Sequence, residues 1–177
     1  MAGTATPATT ALDRAGTSYR LHTYDHAKGT TAYGEEAADV LTARLGIEPQ
    51  RVLKTLVITA SGGGASRPVT AIAVLPVTGT LSTKAAAAAL GASRAALADP
   101  AAAQRITGYV LGGVSPIGPW SGGRPSGARP ALPTVVDRSI SGASTVFCSG
   151  GRRGLEIEIA PADLIAVTGA LLADLTR

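Results

Sequence analysis

A lysine inside an apolar segment is the first candidate for chemistry in this chain. Lys54 stands in the middle of residues 51–58, RVLKTLVI. Alternation along a β-strand places Leu53 and Val57 on one face and further aliphatic residues beside Lys54 on the other. An ammonium in that setting must meet an anion or open into a cleft, because burying an unpaired charge costs several kcal/mol. A lysine that snorkels at a strand end is the alternative interpretation.

Two glycine-rich segments could bring backbone amides close to a ligand oxygen. The first is residues 112–116, GGVSP, in which Ser115 adds a hydroxyl, and the second is residues 149–154, SGGRRG. Arginines in the second segment could also meet a phosphate. Neither segment has the spacing of a dinucleotide-binding or phosphate-binding loop, and each is also compatible with an ordinary turn.

Other reactive side chains point less clearly to a site. His22 and His26 are four residues apart but flank a predicted strand end, where that spacing does not bring them together as it would on a helix. Cys148 follows an apolar run, so a small core residue is favoured over a nucleophile. A lysine, hydroxyls and glycine amides are better suited to binding and polarising an ester than to attacking it.

Composition limits the classes of protein to consider. The 177 residues are 45% hydrophobic, which predicts a single globular domain, and a formal charge of +4 permits an anionic partner. The single cysteine argues against a disulfide framework, and 3% aromatic residues argue against a base-stacking surface. With no apolar run long enough to span a membrane and no signal-like start, we expect a cytoplasmic protein.

The elements that must position these residues alternate irregularly between strands and helices. This order predicts an α+β fold of one domain, residues 11–177, with a mixed, mostly antiparallel and barrel-like sheet flanked by helices, after a disordered tail at residues 1–10. Glycines 62–64 predict a hairpin that places Lys54 in a central sheet. The predicted helices are 10–16, 35–45, 83–90, 99–108 and one from Pro161 that includes Leu175, and the predicted strands are 18–24, 51–58, 69–76, 109–111, 134–138, 144–148 and 155–160.

Taken in order, these segments resemble the YbaK/EbsC family of Cys-tRNA(Pro) deacylases, which is related to the editing domain of some prolyl-tRNA synthetases. The individual matches are short, but their joint order and spacing are specific. The matching segments are residues 22–26, 52–56, 98–100, 108–109, 112–118, 132–134 and 149–157.

The resemblance implies hydrolytic release of cysteine wrongly attached to tRNA(Pro), with no cofactor and no metal, and prolyl-tRNA synthetase as a second partner. The thiol of the mischarged cysteine would attack its own ester, so the enzyme needs no nucleophile of its own. The family's central lysine falls on Lys54, which is implied to be catalytic. Substrate contacts are implied for Tyr24, Gly112, Gly113, Ser115, Ser149, Gly151 and Glu156.

The chain departs from the family pattern at two places. Glu156 stands where the family commonly has aspartate, so its contact differs by one methylene, and the loop 119–133 is longer than usual. Two alternative functions stay open: a deacylase for another small amino acid such as alanine, and a tRNA-binding or synthetase-binding module without turnover. The size of a pocket distinguishes amino acids that differ by one methylene by only about 1 to 3 kcal/mol. The sequence does not display the volume of the pocket.

Overall fold

The computed structural model describes residues 4–27, 29–118 and 132–177. The predicted loop 119–133 therefore lies outside the described residues except for Leu132 and Pro133. The helices are α1 Pro7–Ala15, α2 Tyr33–Leu45, α3 Thr83–Ala89, α4 Pro100–Thr107 and α5 Pro161–Thr168. The strands are β1 Arg20–Thr23, β2 Leu53–Gly62, β3 Ala65–Pro76, β4 Arg94–Leu97, β5 Thr134–Asp137, β6 Val146–Arg152, β7 Leu155–Ile159 and β8 Leu171–Ala173.

The first helix begins earlier than the sequence predicts. Thr6 caps it by accepting a hydrogen bond from the Thr9 N–H, and Pro7 occupies the first turn, where its missing N–H costs nothing. Ala8 and Leu12 are fully buried. The prediction of a disordered tail through residue 10 is therefore wrong from Thr6 onward, because small residues at the helix start pack against the core.

The strands form two open sheets. One has the order β1-β7-β6 and is antiparallel throughout. The other has the order β4-β2-β3-β5-β8, in which the first two pairs are antiparallel and the last two are parallel. The mixed, mostly antiparallel α+β fold is confirmed. The barrel-like shape is not, since neither sheet closes within the described residues.

The largest buried cluster lies between the sheets. It joins Leu53 and Ile72 of the five-stranded sheet to Cys148 and Ile157 of the three-stranded sheet. A second cluster packs α3 on the five-stranded sheet, and a third packs α2 against Val52 and Phe147. Val52 and Phe147 also form an isolated parallel bridge, so β2 and β6 are in contact at that point.

Three local predictions are wrong. Residues 109–111 form no strand: the Tyr109 hydroxyl donates to the carbonyl of Ile117 at 2.8 Å, and this buried contact holds a turn. Residues 94–97, for which the sequence predicts no strand between the helices 83–90 and 99–108, form β4 because the edge of β2 is free to pair there. The closing helix ends at Gly169, whose φ of 63° suits a left-handed cap. The residues beyond it form β8.

The elements that carry Lys54 are confirmed. β2 and β3 form the predicted antiparallel hairpin, with Lys54 opposite Leu75. Leu53 and Val57 are buried in the cluster between the sheets, while Ile58, on the other face, is buried beneath α3. The lysine therefore stands on an interior strand with apolar packing on both faces. No helix in the described part of the chain is long and apolar enough to cross a membrane.

Candidate functional site

A cleft opens where β2 has no strand along one of its edges. β4 pairs with β2 only from Ile58 onward, and the contact with β6 is at Val52. The stretch of β2 between those points lines a cavity of about 510 Å³, a volume typical of small-molecule sites. Its walls come from the start of α2, the start of α4, the glycine segment after α4, and β6 and β7. The lining residues are 31, 33–35, 37, 53–57, 97, 98, 100, 103, 111, 112, 114, 149 and 156.

Lys54 lies in this cleft with its side chain half-buried. Its Nζ donates a hydrogen bond to the carbonyl oxygen of Val77 at 3.2 Å. Gly34 of α2 packs beside it, since a Cβ on Gly34 would lie 3.0 Å from Val77 Cγ1 and 3.9 Å from Lys54 Cβ. Among the described residues no carboxylate forms an ion pair with Lys54. The ammonium is thus held by one carbonyl and has donors left for a ligand.

Glu156 brings a buried carboxyl to the same cleft. It lies opposite Ser149 in the pairing of β6 with β7, and both residues line the cavity. Only 6% of Glu156 is exposed, and burial raises the pKa of its carboxyl to about 8. Within the described parts of the chain the structure gives this carboxyl no hydrogen bond and no ion pair. A carboxyl with this pKa is protonated most of the time at neutral pH and becomes ionised as the pH rises through about 8, so its protonated form can donate a proton and its ionised form can accept one.

The hydroxyl of Thr55 is buried without a partner. Thr55 lines the cleft directly after Lys54, and its Oγ1 has no hydrogen bond to any described residue. An unsatisfied buried hydroxyl costs about 1 to 3 kcal/mol, so its retention needs a reason. The wall of the cleft therefore contains a polar group that no described residue satisfies.

An aromatic wall closes one side of the cleft. The ring of Tyr33, in the first turn of α2, occupies the space beside Gly112, where an added Cβ would come within 2.5 Å of ring carbons. The guanidinium carbon of Arg153 lies 4.7 Å from the centroid of the same ring. The centroid of the His26 ring lies 5.4 Å from the centroid of the Tyr33 ring. Glu36 fixes the histidine, since its Oε2 lies 2.6 Å from His26 Nδ1. Gly112, with φ of 80°, is required here both for its backbone conformation and for the space it leaves.

The cleft brings together four of the predicted site residues, which are Lys54, Gly112, Ser149 and Glu156. The other four predicted site residues, Tyr24, Gly113, Ser115 and Gly151, do not line it. A Cβ on Gly113 would lie 2.8 Å from Arg152 Cα, and one on Gly151 would lie 2.8 Å from Tyr109 Cε1, so both glycines permit close packing. Ser115 is fully buried, and its Oγ accepts a hydrogen bond from Ile117 N–H at 3.2 Å.

Tyr24 is half-buried at the end of β1, and its N–H donates to the carbonyl of Gly154 at 3.0 Å. Burial, followed by the charge of Glu156, raises the pKa of its phenol. Tyr24 is therefore a neighbour of the Glu156 carboxyl, although it is not a lining residue of the cleft.

The histidines and the cysteine do not form a reactive group. His22 Nε2 lies 2.9 Å from Glu158 Oε2, while His26 pairs with Glu36 at a different place. Cys148 is fully buried, and burial raises the pKa of its thiol, with the charge of Glu156 adding to the effect. Within residues 4–27, 29–118 and 132–177 there is no group of three potential metal ligands.

A second cavity, of about 700 Å³, contains none of the predicted site residues. Arg51 lines it, but its Nε already donates to the Thr145 carbonyl at 2.7 Å. The smaller cleft is therefore the candidate site. Sequence reasoning missed Tyr33 and Thr55 as parts of it, and it noted the arginines of residues 149–154, Arg153 among them, only as possible phosphate contacts. Thr55 follows Lys54 directly, which was an available signal, but only the fold brings Tyr33 and Arg153 to Gly112.

Comparison with known proteins places the chain in a family. The profile of the aminoacyl-tRNA editing domain matches residues 34–167. A protein of Enterococcus faecalis (strain ATCC 700802 / V583) with the provisional name Cys-tRNA(Pro)/Cys-tRNA(Cys) deacylase EbsC is 31% identical over 140 residues. The alignment covers 79% of this chain and 77% of that protein.

Solved structures share the fold. A crystal structure described, also provisionally, as a trans-editing enzyme for prolyl tRNA synthetase has a TM-score of 0.76 at 24% identity and covers 100% of this chain and 99% of its own. A protein described as hypothetical has a TM-score of 0.75 at 25% identity and covers 97% of this chain and 100% of its own. The region matched by the family profile contains the cleft residues from Gly34 to Glu156, and the lining residues Thr31 and Tyr33 come just before it. The chain belongs to the aminoacyl-tRNA editing domain family.

Proposed function

We propose that this protein is a trans-editing deacylase that removes cysteine mischarged onto tRNA(Pro). The observation that carries the proposal is the convergence of Lys54, Ser149 and Glu156 on one cleft of ligand size in a chain of this family. The name of the Enterococcus relative supports cysteine as the amino acid and includes tRNA(Pro) as a carrier beside tRNA(Cys). Mischarged tRNA(Pro) and prolyl-tRNA synthetase are the partners that follow, and the cytoplasm is the compartment where both are used.

The substrate supplies its own nucleophile in this reaction. The thiol sulfur of the mischarged cysteine bonds to its own ester carbonyl carbon, and the bond from that carbon to the ribose oxygen breaks. The thiol proton is taken up and a proton is returned to the released ribose hydroxyl, so the charge balances. Cysteine leaves as a thiolactone that water then opens. The inert, buried thiol of Cys148 is consistent with a protein that provides no nucleophile.

Two side chains of the cleft have complementary roles. The Lys54 ammonium stabilises the negative charge that develops on the ester carbonyl oxygen, which a fixed cation does without reorganisation. Glu156 accepts the thiol proton, because its pKa of about 8 is close to the ordinary thiol value of about 8.5 and transfer then costs little. The backbone at Gly112 and the hydroxyls of Thr55 and Ser149 position the ester and the ribose.

Alanine is the second candidate amino acid, because the apolar part of the cleft can also accept its methyl side chain. Leu53, Val57 and Ala103 line the cavity, and such walls separate residues of similar size by only about 1 to 3 kcal/mol. Alanine has no thiol, so its removal would require attack by water. The chemistry therefore separates the two candidates more sharply than pocket size does.

A panel of charged tRNAs tests the proposal. We expect the wild-type protein to release cysteine from Cys-tRNA(Pro) much faster than alanine from Ala-tRNA(Pro) or proline from Pro-tRNA(Pro). Cysteine whose sulfur is methylated should stay attached, because it lacks the nucleophile. Faster release of alanine than of cysteine would show that Ala-tRNA(Pro) is the preferred substrate. Loss of none of them, with tRNA still bound, would identify a binding module without turnover.

A further inference from the structure

Arg153 is held at the mouth of the cleft in a way that the deacylation chemistry does not require. Arg153 is exposed in the turn between β6 and β7, and its guanidinium carbon lies 4.7 Å from the centroid of the Tyr33 ring. Its Nε donates a hydrogen bond to the carbonyl of Leu111 at 2.9 Å. Tyr33 and Leu111 both line the cleft, so the guanidinium lies at its rim.

The turn that carries Arg153 is itself fixed. The carbonyl of Gly154 accepts a hydrogen bond from Tyr24 N–H at 3.0 Å, and Gly154 has a φ of 73°. A Cβ on Gly154 would lie 2.3 Å from the Tyr24 carbonyl oxygen, so the turn is pressed against the end of β1. Backbone, stacking and one hydrogen bond therefore set the position of the guanidinium before any ligand arrives.

The outer edge of that guanidinium makes no contact with a described hydrogen-bond partner. Nε is occupied by Leu111, but the structure gives the two terminal nitrogens no hydrogen bond to a described residue, and Arg153 has no ion pair among the described residues. A planar fork with two free N–H groups on one edge matches a phosphate or carboxylate in bidentate geometry. A long side chain normally loses conformational entropy when it binds a ligand. The contacts of Arg153 with Tyr33 and Leu111 already restrict its side chain before a ligand binds, so less entropy is lost on binding.

We propose that Arg153 binds a backbone phosphodiester of the single-stranded 3′ end of the tRNA, next to the aminoacylated nucleoside held in the cleft. This inference rests on the proposed function, because the aminoacyl ester must lie near Lys54 for its neighbouring phosphate to reach the rim. The subsite recognises phosphate and not a base, so it contributes affinity and register without sequence preference. It also explains why arginine, and not the compact lysine ammonium, stands on the aromatic ring.

Equilibrium binding of uncharged tRNA(Pro) tests the subsite independently of turnover. Arg153→Ala should weaken binding of the intact tRNA about tenfold and lower the slope of log affinity against log salt by about 0.7 to 1. The same variant should bind a tRNA that lacks its three terminal nucleotides as well as the wild type does. Arg153→Lys should lie between wild type and alanine, because it keeps the charge but loses the fork.

Arg67→Ala is the matched control. Arg67 is exposed on β3 and far along that strand from Leu75, the residue opposite Lys54, so its loss removes the same charge away from the cleft. We expect any effect of Arg67→Ala to be equal for both forms of the tRNA. Equal weakening of both forms by Arg153→Ala, or no weakening of either, would overturn the subsite. A wild-type protein that binds tRNA in this way but releases no amino acid would overturn the proposed function and leave the subsite standing.

Discussion

The ammonium of Lys54 and the carbonyl of Val77 are joined by a hydrogen bond of 3.2 Å. The N–H of Val77 in turn donates to the carbonyl of Val52 at 2.9 Å, which fixes the residue just beyond β3 against the start of β2. The lysine is thus positioned by a backbone carbonyl of the hairpin. A side-chain substitution at Val77 does not remove that carbonyl. The remaining donors of the ammonium are directed by that single contact and by the packing of Gly34.

Replacement of Glu156 should change how stability depends on pH. Its pKa is raised by burial from 4.5 to about 8, so the folded state holds a proton that the unfolded state loses. The contribution of this group to stability is complete below about pH 4.5 and is lost as pH rises through about 8. The titratable groups that interact with this carboxyl are the Tyr24 phenol and the Cys148 thiol, because the charge of Glu156 contributes to the raised pKa of each. Both groups are uncharged at neutral pH, so neither opposes the effect of burial.

Glu156→Gln removes this titration. Relative to the variant, the wild type should lose on the order of 3 kcal/mol of unfolding free energy between pH 5 and pH 9. Urea denaturation at a series of pH values measures the difference between the two proteins. Parallel pH profiles would show that the carboxyl is not protonated in the folded state. The variant should also lose the alkaline rise in deacylation rate that a proton acceptor with a pKa of about 8 produces.

Thr55→Val should separate stability from activity. The variant removes a buried hydroxyl that has no partner among the described residues, so stability should stay equal or rise by about 1 kcal/mol. Because the proposed ligand satisfies that hydroxyl, kcat/KM for Cys-tRNA(Pro) should fall about tenfold. Thermal unfolding and single-turnover rates provide the two readouts. Unchanged kcat/KM with raised stability would mean that the ligand does not contact Thr55.

Gly112→Ala should distort the aromatic wall. The new Cβ would lie about 2.5 Å from Tyr33 ring carbons, and a φ of 80° is unfavourable for alanine. We expect a loss of about 1 to 3 kcal/mol in stability together with reduced deacylation. Gly142→Ala is the control, since nothing lies within 4 Å of its added Cβ. It should change stability by no more than about 0.5 kcal/mol. Similar effects of the two substitutions would contradict the tight fit of Tyr33 against Gly112.

Local pattern was sufficient for the elements that carry Lys54. The apolar run of β2 and the glycines of the hairpin are signals contained within a few residues, and the strand and the hairpin that they predict are confirmed. The end of the last helix was not recognised because Leu171 and Leu172 continue its apolar spacing. They form a strand because β5 offers them a parallel edge, which is a contact distant in the chain.

In the candidate site, too, some residues could be predicted from the sequence and others depend on contacts that are distant in the chain. Lys54 could be identified from its neighbours in sequence, and Glu156 and Gly112 from family resemblance. The pairing of Tyr33 with Arg153 could not, because Tyr33 is ordinary in its own segment and the arginines of residues 149–154 indicate a phosphate contact but not which ring they cover. Only the packing of α2 against the glycine segment and the turn after β6 brings them together.

Single-turnover deacylation of Cys-tRNA(Pro) by wild type, Lys54→Ala and Lys54→Arg tests the central claim most directly. Loss of a fixed cation should slow release about 100-fold or more, and arginine should restore little of it, because a broad guanidinium does not fit the place of a compact ammonium. Circular dichroism and tRNA binding establish that the variants are folded. The account predicts slow release with binding retained. Wild-type rates from Lys54→Ala would contradict it, since the cleft would then not be the site of the reaction.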